Sequence, residues 1–300
     1  MSCFGGVPAR ISAILTSFVA CTPAFANIFV SDVGDSTVKV FDEFGGSYIG
    51  FRGQGFLHYP TGVAIGPDGA IYVADIGSPS RIYRFNRTSG AYLGSFGMGI
   101  LNAPEGITFD SLGTLYVADS ANNAVYKFDP YSGNYKGVLG YGFLSGAAGL
   151  AIDSNNVVYV ASYNTGEVFK FDGPSGNYVG VLGSGFVGNP YGLAMDIKGM
   201  LDVTNINGGV IRFEPKSGNY MGSYTTGFAI EPTGIATSPC KDPKPSPGHP
   251  NASFVSDYIS GDVVKFDAYT GAYLGVLGKG VLKTPTFLCA YTSLVSAPTH

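Results

Sequence analysis

The sequence predicts an all-β protein, and more specifically a six-bladed β-propeller of four-stranded antiparallel blades. Three observations lead to this prediction. A unit of about 43 residues recurs along the chain, and each unit holds four short apolar runs separated by turn residues. The 300-residue chain is rich in glycine (45) and in tyrosine and phenylalanine (20 and 21). Charged residues make up only 13%, which favours short strands over helices.

Four landmarks define the unit and place its strands in order. The first strand opens at a glycine, the second ends in a Val-x-polar segment, the third ends in phenylalanine, and the fourth contains a Gly-x-Tyr-x-Gly variant. The opening glycines are Gly62, Gly106, Gly149, Gly192 and Gly234. The polar residues that end the second strands are Asp32, Asp75, Asp119, Ser162, Asn205 and Asp257. Because the order never changes, every unit is predicted to form the same antiparallel sheet.

The connections between strands have their own residue chemistry. Turns such as GPDG and NRTSG contain a glycine, which tolerates positive φ. Consecutive units are joined through Pro-x-Gly, as in YPTG and APEG. Proline fixes the direction of approach, and glycine lets the first strand start close to its neighbours. A small residue follows two positions after each opening glycine, as expected where blades converge on an axis: Ala64, Thr108, Ala151, Ala194 and Ala236.

The two ends of the chain are predicted to complete one blade together. The segment from Asn27 has the pattern of a second strand, whereas residues 285–290 have the pattern of a first strand. When the C-terminal strand joins the three N-terminal ones, the ring closes and two exposed sheet edges disappear. The propeller is therefore predicted over residues 27–290, followed by a C-terminal tail at 291–300. We expect it to be a monomer.

The cysteines that follow the N-terminal segment, Cys240 and Cys289, are predicted not to pair. Cys289 occupies the small-residue position of its strand, and Cys240 lies beyond the equivalent strand of the preceding unit. Their offset of about four residues is roughly 13 Å at the rise of a strand, whereas a disulfide needs Cα atoms within about 7 Å. We expect a buried thiol at Cys289. The Pro-rich segment 239–252 interrupts the period and is predicted to be an exposed loop insertion.

Residues 1–26 have the pattern of a secretory signal peptide. Arg10 precedes the apolar run ISAILTSFVAC, and Ala24-Phe25-Ala26 has the small-x-small form of a cleavage site. The run is too short to span a bilayer, and no other segment is apolar enough to do so. Cleavage after Ala26 gives a secreted or periplasmic protein, and the alternative is a lipid anchor at Cys21. The sequence has no cluster of lysines and arginines, which argues against nucleic acid as a partner.

The repeated segments resemble those of NHL-type propellers and of their relatives, the gluconolactonase/regucalcin and streptogramin-lyase groups. The matching segments are PEGITFDSLGTLYVADSANNAVYKFDPYSGNYKG at 104–137 and GLAIDSNNVVYVASYNTGEVFKFDGPSGNYVG at 149–180. The resemblance extends over residues 27–290. It implies the propeller fold but selects no function, because such propellers serve as hydrolases, lyases, receptors and binding scaffolds.

Two rings of residues are expected around the mouth of the channel, where the Pro-x-Gly connections and the ends of the second strands share one face. The first ring is the middle residue of Pro-x-Gly: Thr61, Glu105, Ala148, Tyr191, Thr233 and Thr286. The second ring is the set of polar residues that end the second strands. Their oxygens suit calcium, but one residue type recurring in every unit better suits a cap on backbone N–H groups. We expect no metal ligands and no cofactor, with calcium as the alternative.

The resemblance implies two kinds of enzymatic site that this sequence supplies only in part. Gluconolactonase-like enzymes hold one metal near the axis with Glu, Asn and Asp residues, including the Asp of a Pro-Asp-Gly that opens a first strand. At that place the first ring offers only Glu105 as a ligand. Streptogramin-lyase-like enzymes need a histidine near the channel, and among the three histidines only His58 precedes a Pro-x-Gly segment.

The sequence therefore predicts an exported, non-catalytic propeller that binds a protein, a peptide or a glycan. The expected ligand-binding residues are His58, Thr61, Glu105, Tyr191 and Thr233, and no catalytic residue is expected. The alternative is a hydrolase or lyase of the gluconolactonase or streptogramin-lyase type, acting on a lactone or cyclic ester with or without calcium.

Overall fold

The fold is a ring of six antiparallel sheets. The computed structural model describes residues 26–292, except for 44, 225, 226, 228, 230 and 239–250. Within this part of the chain there are 24 β-strands, arranged as six four-stranded sheets. Neighbouring first strands pack side by side around the axis, and β24 lies between β20 and β4. The prediction of an all-β, six-bladed propeller is confirmed.

The strands are numbered in chain order, and each blade holds four of them. Blade 1 contains β24 (Pro285–Thr292), β1 (Ala26–Asp32), β2 (Thr37–Asp42) and β3 (Tyr48–Arg52). Blade 2 contains β4 (Pro60–Ile65), β5 (Ile71–Asp75), β6 (Arg81–Phe85) and β7 (Tyr92–Phe96). Blade 3 contains β8 (Pro104–Phe109), β9 (Leu115–Asp119), β10 (Ala124–Phe128) and β11 (Tyr135–Leu139).

The other three blades repeat this arrangement. Blade 4 contains β12 (Ala147–Ile152), β13 (Val157–Ser162), β14 (Glu167–Asp172) and β15 (Tyr178–Leu182). Blade 5 contains β16 (Pro190–Met195), β17 (Leu201–Asn205), β18 (Gly209–Phe213) and β19 (Tyr220–Tyr224). Blade 6 contains β20 (Pro232–Thr237), β21 (Ala252–Asp257), β22 (Asp262–Asp267) and β23 (Tyr273–Leu277).

The C-terminal strand closes the ring against the N-terminal one. β24 pairs antiparallel with β1, with Phe29 opposite Cys289 and Asn27 opposite Tyr291. This pairing confirms the predicted exchange between the chain ends. Both strands are longer than their sequence patterns, because β1 begins at Ala26 and β24 continues to Thr292. The ladder therefore includes the predicted cleavage position and the first two residues of the predicted tail.

Every first strand carries one extra residue near its start. In blade 2, Pro60 pairs with Asp75 and Val63 with Val73, so three steps along one strand match two along the other. The same irregularity occurs in the other five blades. A bulge of this kind bends the strand and redirects the side chain that it contains. The bulge contains the middle residue of Pro-x-Gly in blades 2, 3, 5 and 6, and Ala148 and Thr286 at the same place in blades 4 and 1; all six residues line cavities around the axis.

The polar residues that end the second strands cap the connections between blades. Asp75 accepts backbone N–H groups of His58, Tyr59 and Gly77 at 2.7–3.3 Å. The corresponding residues Asp32, Asp119, Ser162, Asn205 and Asp257 each accept at least one N–H from the connection that precedes their blade's first strand. The second ring is therefore structural, as the sequence favours, because each side chain satisfies donors that no strand pairs.

The hydrophobic core lies between adjacent blades. The phenylalanines that end the third strands are all fully buried: Phe41, Phe85, Phe128, Phe171, Phe213 and Phe266. The tyrosines that open the fourth strands are partly exposed. Three of them stack on a phenylalanine of the connection that enters their blade: Tyr92 on Phe56, Tyr178 on Phe143 at 4.8 Å between ring centroids, and Tyr220 on Phe186. These ring contacts add aromatic packing at the outer strands to the packing of the first strands around the axis.

Two sequence predictions lie partly or wholly outside the described residues. Cys289, predicted to be a buried thiol, is free but only partly buried, and loss of solvent around its sulfur raises its pKa to about 12. Cys240 is not among the described residues. The predicted insertion is not described over 239–250, and its last residue, Ala252, opens β21. Across the described part of the chain, no helix has the length and apolar character needed to cross a bilayer.

Candidate functional site

Three positions of each blade meet on one face around the axis. They are the residue before the bulge, the middle residue of Pro-x-Gly, and the residue that follows the second-strand cap. In every blade the third position donates its backbone N–H to the carbonyl of the first, as Ile76 does to Tyr59 at 3.1 Å and Tyr258 does to Glu231 at 3.1 Å. The other pairs are Val33–Thr284, Ser120–Ala103, Tyr163–Gly146 and Ile206–Asn189. Side chains of varied type are thus held in one repeated backbone frame.

A cavity of about 260 Å³ lies at the centre of this face, and we call it the central cavity. Its walls include three tyrosines, Tyr59, Tyr191 and Tyr258, and two glutamates, Glu105 and Glu231. The other lining residues are Thr61, Ile76, Ile206, Thr233 and Thr286. Among its described lining residues there is no lysine, arginine or histidine. Its described lining is therefore aromatic and partly polar, and besides the tyrosines its ionisable groups are two carboxyls.

A second cavity of about 390 Å³ adjoins the first over blades 3 to 5, and we call it the side cavity. Glu105, Tyr191 and Ile206 line both cavities. The other lining residues of the side cavity are Ser120, Ala121, Gly146, Ala148, Tyr163 and Asn164. A concave, mostly apolar surface with a few convergent polar groups is the usual form of a ligand site. Glu105 and Tyr191 stand where the two cavities meet.

Glu105 and Tyr191 bond to each other across an intervening blade. The Tyr191 hydroxyl donates to Oε2 of Glu105 at 2.9 Å, and the Ser120 hydroxyl lies 3.5 Å from Oε1. Glu105 belongs to blade 3 and Tyr191 to blade 5. The equivalent residue of blade 4 is Ala148, whose short side chain leaves the space between them open. The pair thus exists because the first ring is irregular at this point.

Burial changes the acidity of both members of the pair. Burial raises the pKa of Glu105 to about 7, and the negative charge of Asp119 raises it further. The hydrogen bonds from Tyr191 and Ser120 lower the pKa but do not outweigh burial. Burial also raises the pKa of Tyr191 well above its usual value, and the nearby Glu105 adds to it. Near neutral pH the site therefore holds one carboxyl group that is about half protonated beside a neutral phenol.

We expect Glu105→Gln to stabilise the folded protein above pH 7. The folded carboxyl has a pKa of about 7 against an ordinary 4.5, so the unfolded state loses its proton first and stability falls as pH rises between these values. The corresponding cost is about 3 kcal/mol at pH 8 and under about 1 kcal/mol at pH 5. Urea unfolding of both proteins at the two pH values measures it. An equal gain at pH 5 and pH 8 would contradict the raised pKa.

The structure places Thr61 and Thr233 at the central cavity but uses their hydroxyls elsewhere. Thr61 Oγ1 donates to the Pro104 carbonyl of the next blade at 2.7 Å, and Thr233 Oγ1 donates to the Thr286 carbonyl at 2.9 Å. Both side chains are buried. They therefore join first strands around the axis, and they contribute shape to the cavity more than free hydrogen-bonding groups.

His58 is on the predicted face but not at either cavity. Its side chain is exposed, its N–H donates to Asp75, and its carbonyl accepts the Ser36 hydroxyl at 2.8 Å. Its neighbour Tyr59 lines the central cavity in its place. Of the five residues predicted to bind ligand, the structure thus brings four to the central cavity and leaves His58 outside it.

The residues that sequence reasoning missed lie beside the ones it predicted. Tyr59 and Glu231 precede the bulge, and Ile76, Ile206 and Tyr258 follow the second-strand caps. These positions do not repeat in type from unit to unit, so a search for recurring residues passes over them. The available signal was an isoleucine or tyrosine directly after a polar strand end, where an exposed turn would ordinarily be polar.

Tyr191 is held by aromatic contacts on more than one side. Phe287 of β24 stacks on it with 5.3 Å between ring centroids, and Tyr163 meets it edge-on at 6.3 Å. Phe287 stands where the other five first strands have their opening glycine. The closing strand therefore contributes a side chain that the other blades lack. This packing fixes the ring of Tyr191 and hence the position of its hydroxyl.

Comparisons with known proteins support the fold and leave the function open. The NHL repeat family matches residues 57–85 and 101–128, which fall in blades 2 and 3. No curated protein sequence matches the chain. Among the described residues, no group of three or more His, Cys, Asp or Glu side chains is arranged to hold a metal ion.

Solved structures extend the similarity to the whole ring. One chain of a nidogen/laminin complex has a TM-score of 0.71 at 17% identity, covering 89% of this chain and 98% of its own. Virginiamycin B lyase from Staphylococcus aureus has a TM-score of 0.60 at 12% identity, covering 90% and 82%. A catalytically inactive histidine-to-alanine variant of that lyase, with quinupristin, has a TM-score of 0.56 at 16% identity, covering 75% and 71%. At these identities the likeness establishes the propeller fold alone.

Proposed function

We propose that this six-bladed propeller with NHL repeats is an exported, monomeric binding protein, secreted or periplasmic, whose ligand occupies the central and side cavities without being turned over. The observation that carries the proposal is the Glu105–Tyr191 bond where the two cavities meet. It presents an acceptor and a rigid aromatic ring inside a concave apolar surface, which is the arrangement of a recognition site. The ligand is a protein, a peptide or a glycan.

The structural neighbours support binding as a function of this fold. One similar chain, with a TM-score of 0.71, comes from a nidogen/laminin complex, so a propeller of this fold is found in a protein–protein assembly. Pairing of β24 with β1 also completes blade 1 and closes the ring, which suits a rigid scaffold that presents side chains. These points favour a pre-formed site over one that folds on binding.

A second candidate is a lyase or hydrolase acting on a cyclic ester, and one observation favours it. A carboxyl group with a pKa of about 7 suits general acid–base catalysis near neutral pH. The likeness to virginiamycin B lyase points the same way. Against it, a histidine-to-alanine variant of that enzyme is catalytically inactive, whereas His58 lies outside both cavities here. Binding without turnover is therefore the better supported function.

Screening peptide and glycan arrays against the intact protein tests the proposal. We expect a ligand whose affinity falls at least tenfold in Tyr191→Ala and in Ile206→Ala, because both side chains line both cavities. Tyr141→Ala, which removes a 79% exposed aromatic outside them, is the matched control and is expected to bind as the wild type does. Melting curves confirm that each variant folds.

Two results would overturn this assignment. A ligand that binds Tyr191→Ala and Ile206→Ala as tightly as the wild type would place the site elsewhere. Turnover of a lactone or cyclic ester by the wild type, lost in Glu105→Gln, would make the protein an enzyme and Glu105 its acid–base group.

A further inference from the structure

The central cavity has an unbalanced charge. Two carboxyl groups, those of Glu105 and Glu231, line it, and no cationic side chain does so among its described residues. The carboxylates that cap the neighbouring turns, such as Asp119, are occupied by backbone N–H groups. Both side chains are half-buried, and a carboxylate partly withdrawn from water is stabilised when a cation neutralises it. The missing positive charge is therefore one that a ligand can supply.

The same cavity is walled by aromatic rings. Tyr59, Tyr191 and Tyr258 approach from blades 2, 5 and 6, so they surround the space instead of lining one side. Tyr59 and Tyr258 interact through their hydroxyls, which raises the pKa of Tyr59 further than burial alone. Tyrosine rings attract organic cations placed over their faces, and the attraction grows when water is excluded. The tyrosine rings and the carboxyl groups thus both favour a positively charged organic ligand.

We infer that the central cavity binds an alkylammonium group, either the lysine side chain of a peptide or a small quaternary amine. This inference rests on the proposed function, and it names the chemistry that the binding site recognises. A volume of about 260 Å³ admits an ammonium head with its first carbon atoms. The attached remainder of the ligand extends into the side cavity, whose lining includes Asn164 and Ser120 as neutral hydrogen-bonding groups.

A metal ion fits these residues less well than an organic cation. Calcium takes six to eight oxygen ligands and zinc takes four ligands of nitrogen, sulfur or oxygen. The described residues contain no group of three His, Cys, Asp or Glu side chains with that arrangement. The faces of the tyrosine rings attract an organic cation, whereas isoleucine side chains offer a metal ion no ligand atom.

Binding of a cation should be linked to the proton on Glu105. The groups that face this carboxyl are the Tyr191 and Ser120 hydroxyls, the charge of Asp119 and the Tyr59 phenol across the cavity, and burial raises its pKa to about 7. A bound cation favours the ionised form, so affinity rises as pH rises through 7. If only the ionised form binds, the available fraction increases about tenfold between pH 6 and pH 8.

Calorimetric titration of the intact protein with matched probes tests the inference. The cations are choline and butylammonium, which remain charged between pH 6 and 8, and their neutral counterparts are 3,3-dimethylbutanol and butanol. We expect each cation to bind at least tenfold more tightly than its neutral counterpart. Affinity for the cations should rise about tenfold from pH 6 to pH 8, and Glu105→Gln should abolish that rise. Preference for butylammonium indicates a lysine side chain, and preference for choline indicates a quaternary amine.

The controls separate this inference from the proposed function. Tyr59→Leu and Glu231→Gln should each lower the affinity for the cations, whereas Tyr141→Leu should leave it unchanged. Equal binding of cations and neutral counterparts overturns the inference, and so does cation binding that is unchanged in Glu105→Gln and Tyr59→Leu. If an array ligand depends on Tyr191 and Ile206 but carries no cation, the inference fails and the binding function stands. If no array ligand depends on them and no cation binds, both fail.

Discussion

Replacing Arg212 by methionine is expected to destabilise the protein by about 3–5 kcal/mol, the cost of leaving a buried charge without its partner. Arg212 donates from Nε and Nη2 to the two carboxylate oxygens of Asp202, each at 2.7 Å, and Asp202 is fully buried. Tyr224 donates to the same carboxylate at 2.8 Å, and Asp196 lies 3.7 Å from the guanidinium. Urea unfolding at pH 7 measures the loss.

The other blades supply the control for this prediction. Where blade 5 has Asp202, Arg212 and Tyr224, blade 4 has Tyr159, Lys170 and Leu182 at the paired positions. The Tyr159 hydroxyl donates to the Asp153 carboxylate of its own turn at 3.2 Å, so no buried ion pair is needed there. The triple variant Asp202→Tyr, Arg212→Lys, Tyr224→Leu copies blade 4 and should recover most of the stability that Arg212→Met loses. Wild-type stability in Arg212→Met would contradict the argument.

The Asp202–Arg212 ion pair could not be predicted from the sequence repeat, although the fold could be. The period and the turn residues predict the strands, the blade count and the closure by β24, because each depends on short-range pattern. The aligned units show that Asp202 stands where the other units have an aromatic residue, but they do not show that Arg212 neutralises its charge. Arg212 has a basic counterpart in other blades that points to a backbone carbonyl, as Lys170 does to Pro215 at 3.4 Å. Only the structure shows which partner a basic residue takes.

In the candidate site, too, the sequence predicts which residues are present but not the contacts between them. Glu105 and Tyr191 were predictable as members of a ring, since both follow the proline of a connection. Their bond was not predictable, because it crosses blade 4 and requires both ring closure and the small Ala148 between them. Phe287 is visible in the sequence as the residue that replaces the opening glycine in the closing strand, whereas its stacking on Tyr191 depends on how far the strands converge. The residues of the proposed ligand site are thus the ones that differ between blades, whereas the residues repeated in every blade cap turns and pack the core.

The raised pKa of Glu105, one of the residues that differ between blades, has a cost. The ionised carboxylate of Glu105 is less stable in the folded than in the unfolded state, so it lowers the free energy of unfolding above pH 4.5. Packing therefore does not explain why a glutamate is present. A glutamine would form the bond to Tyr191 without that penalty. Sites that reduce stability and also line a cavity are typical of function, which links the stability prediction for Glu105 to the proposed binding of a cation.

Replacing Gly149 by alanine is expected to cost roughly 3 kcal/mol, at the upper end of overpacking effects, and to disturb the candidate site as well. A Cβ at this position would lie 2.1 Å from the carbonyl oxygen of Tyr191 and 2.9 Å from the Cα of Gly192. Both are backbone atoms, so no side-chain rotation relieves the clash. The first strands of blades 4 and 5 must separate, and Tyr191 moves with its strand.

Stability and binding should therefore fail together in Gly149→Ala. Thermal unfolding is expected to show a midpoint about 6–12 °C lower, and displacement of Tyr191 should lengthen its bond to Glu105 and weaken any ligand of the central cavity. Gly188→Ala is the matched control, because its Cβ would meet only the Asn205 Oδ1 at 3.8 Å. A normal melting temperature in Gly149→Ala would mean that the blades are not packed backbone to backbone at the axis. Lost stability with unchanged binding would mean that the ligand does not touch Tyr191.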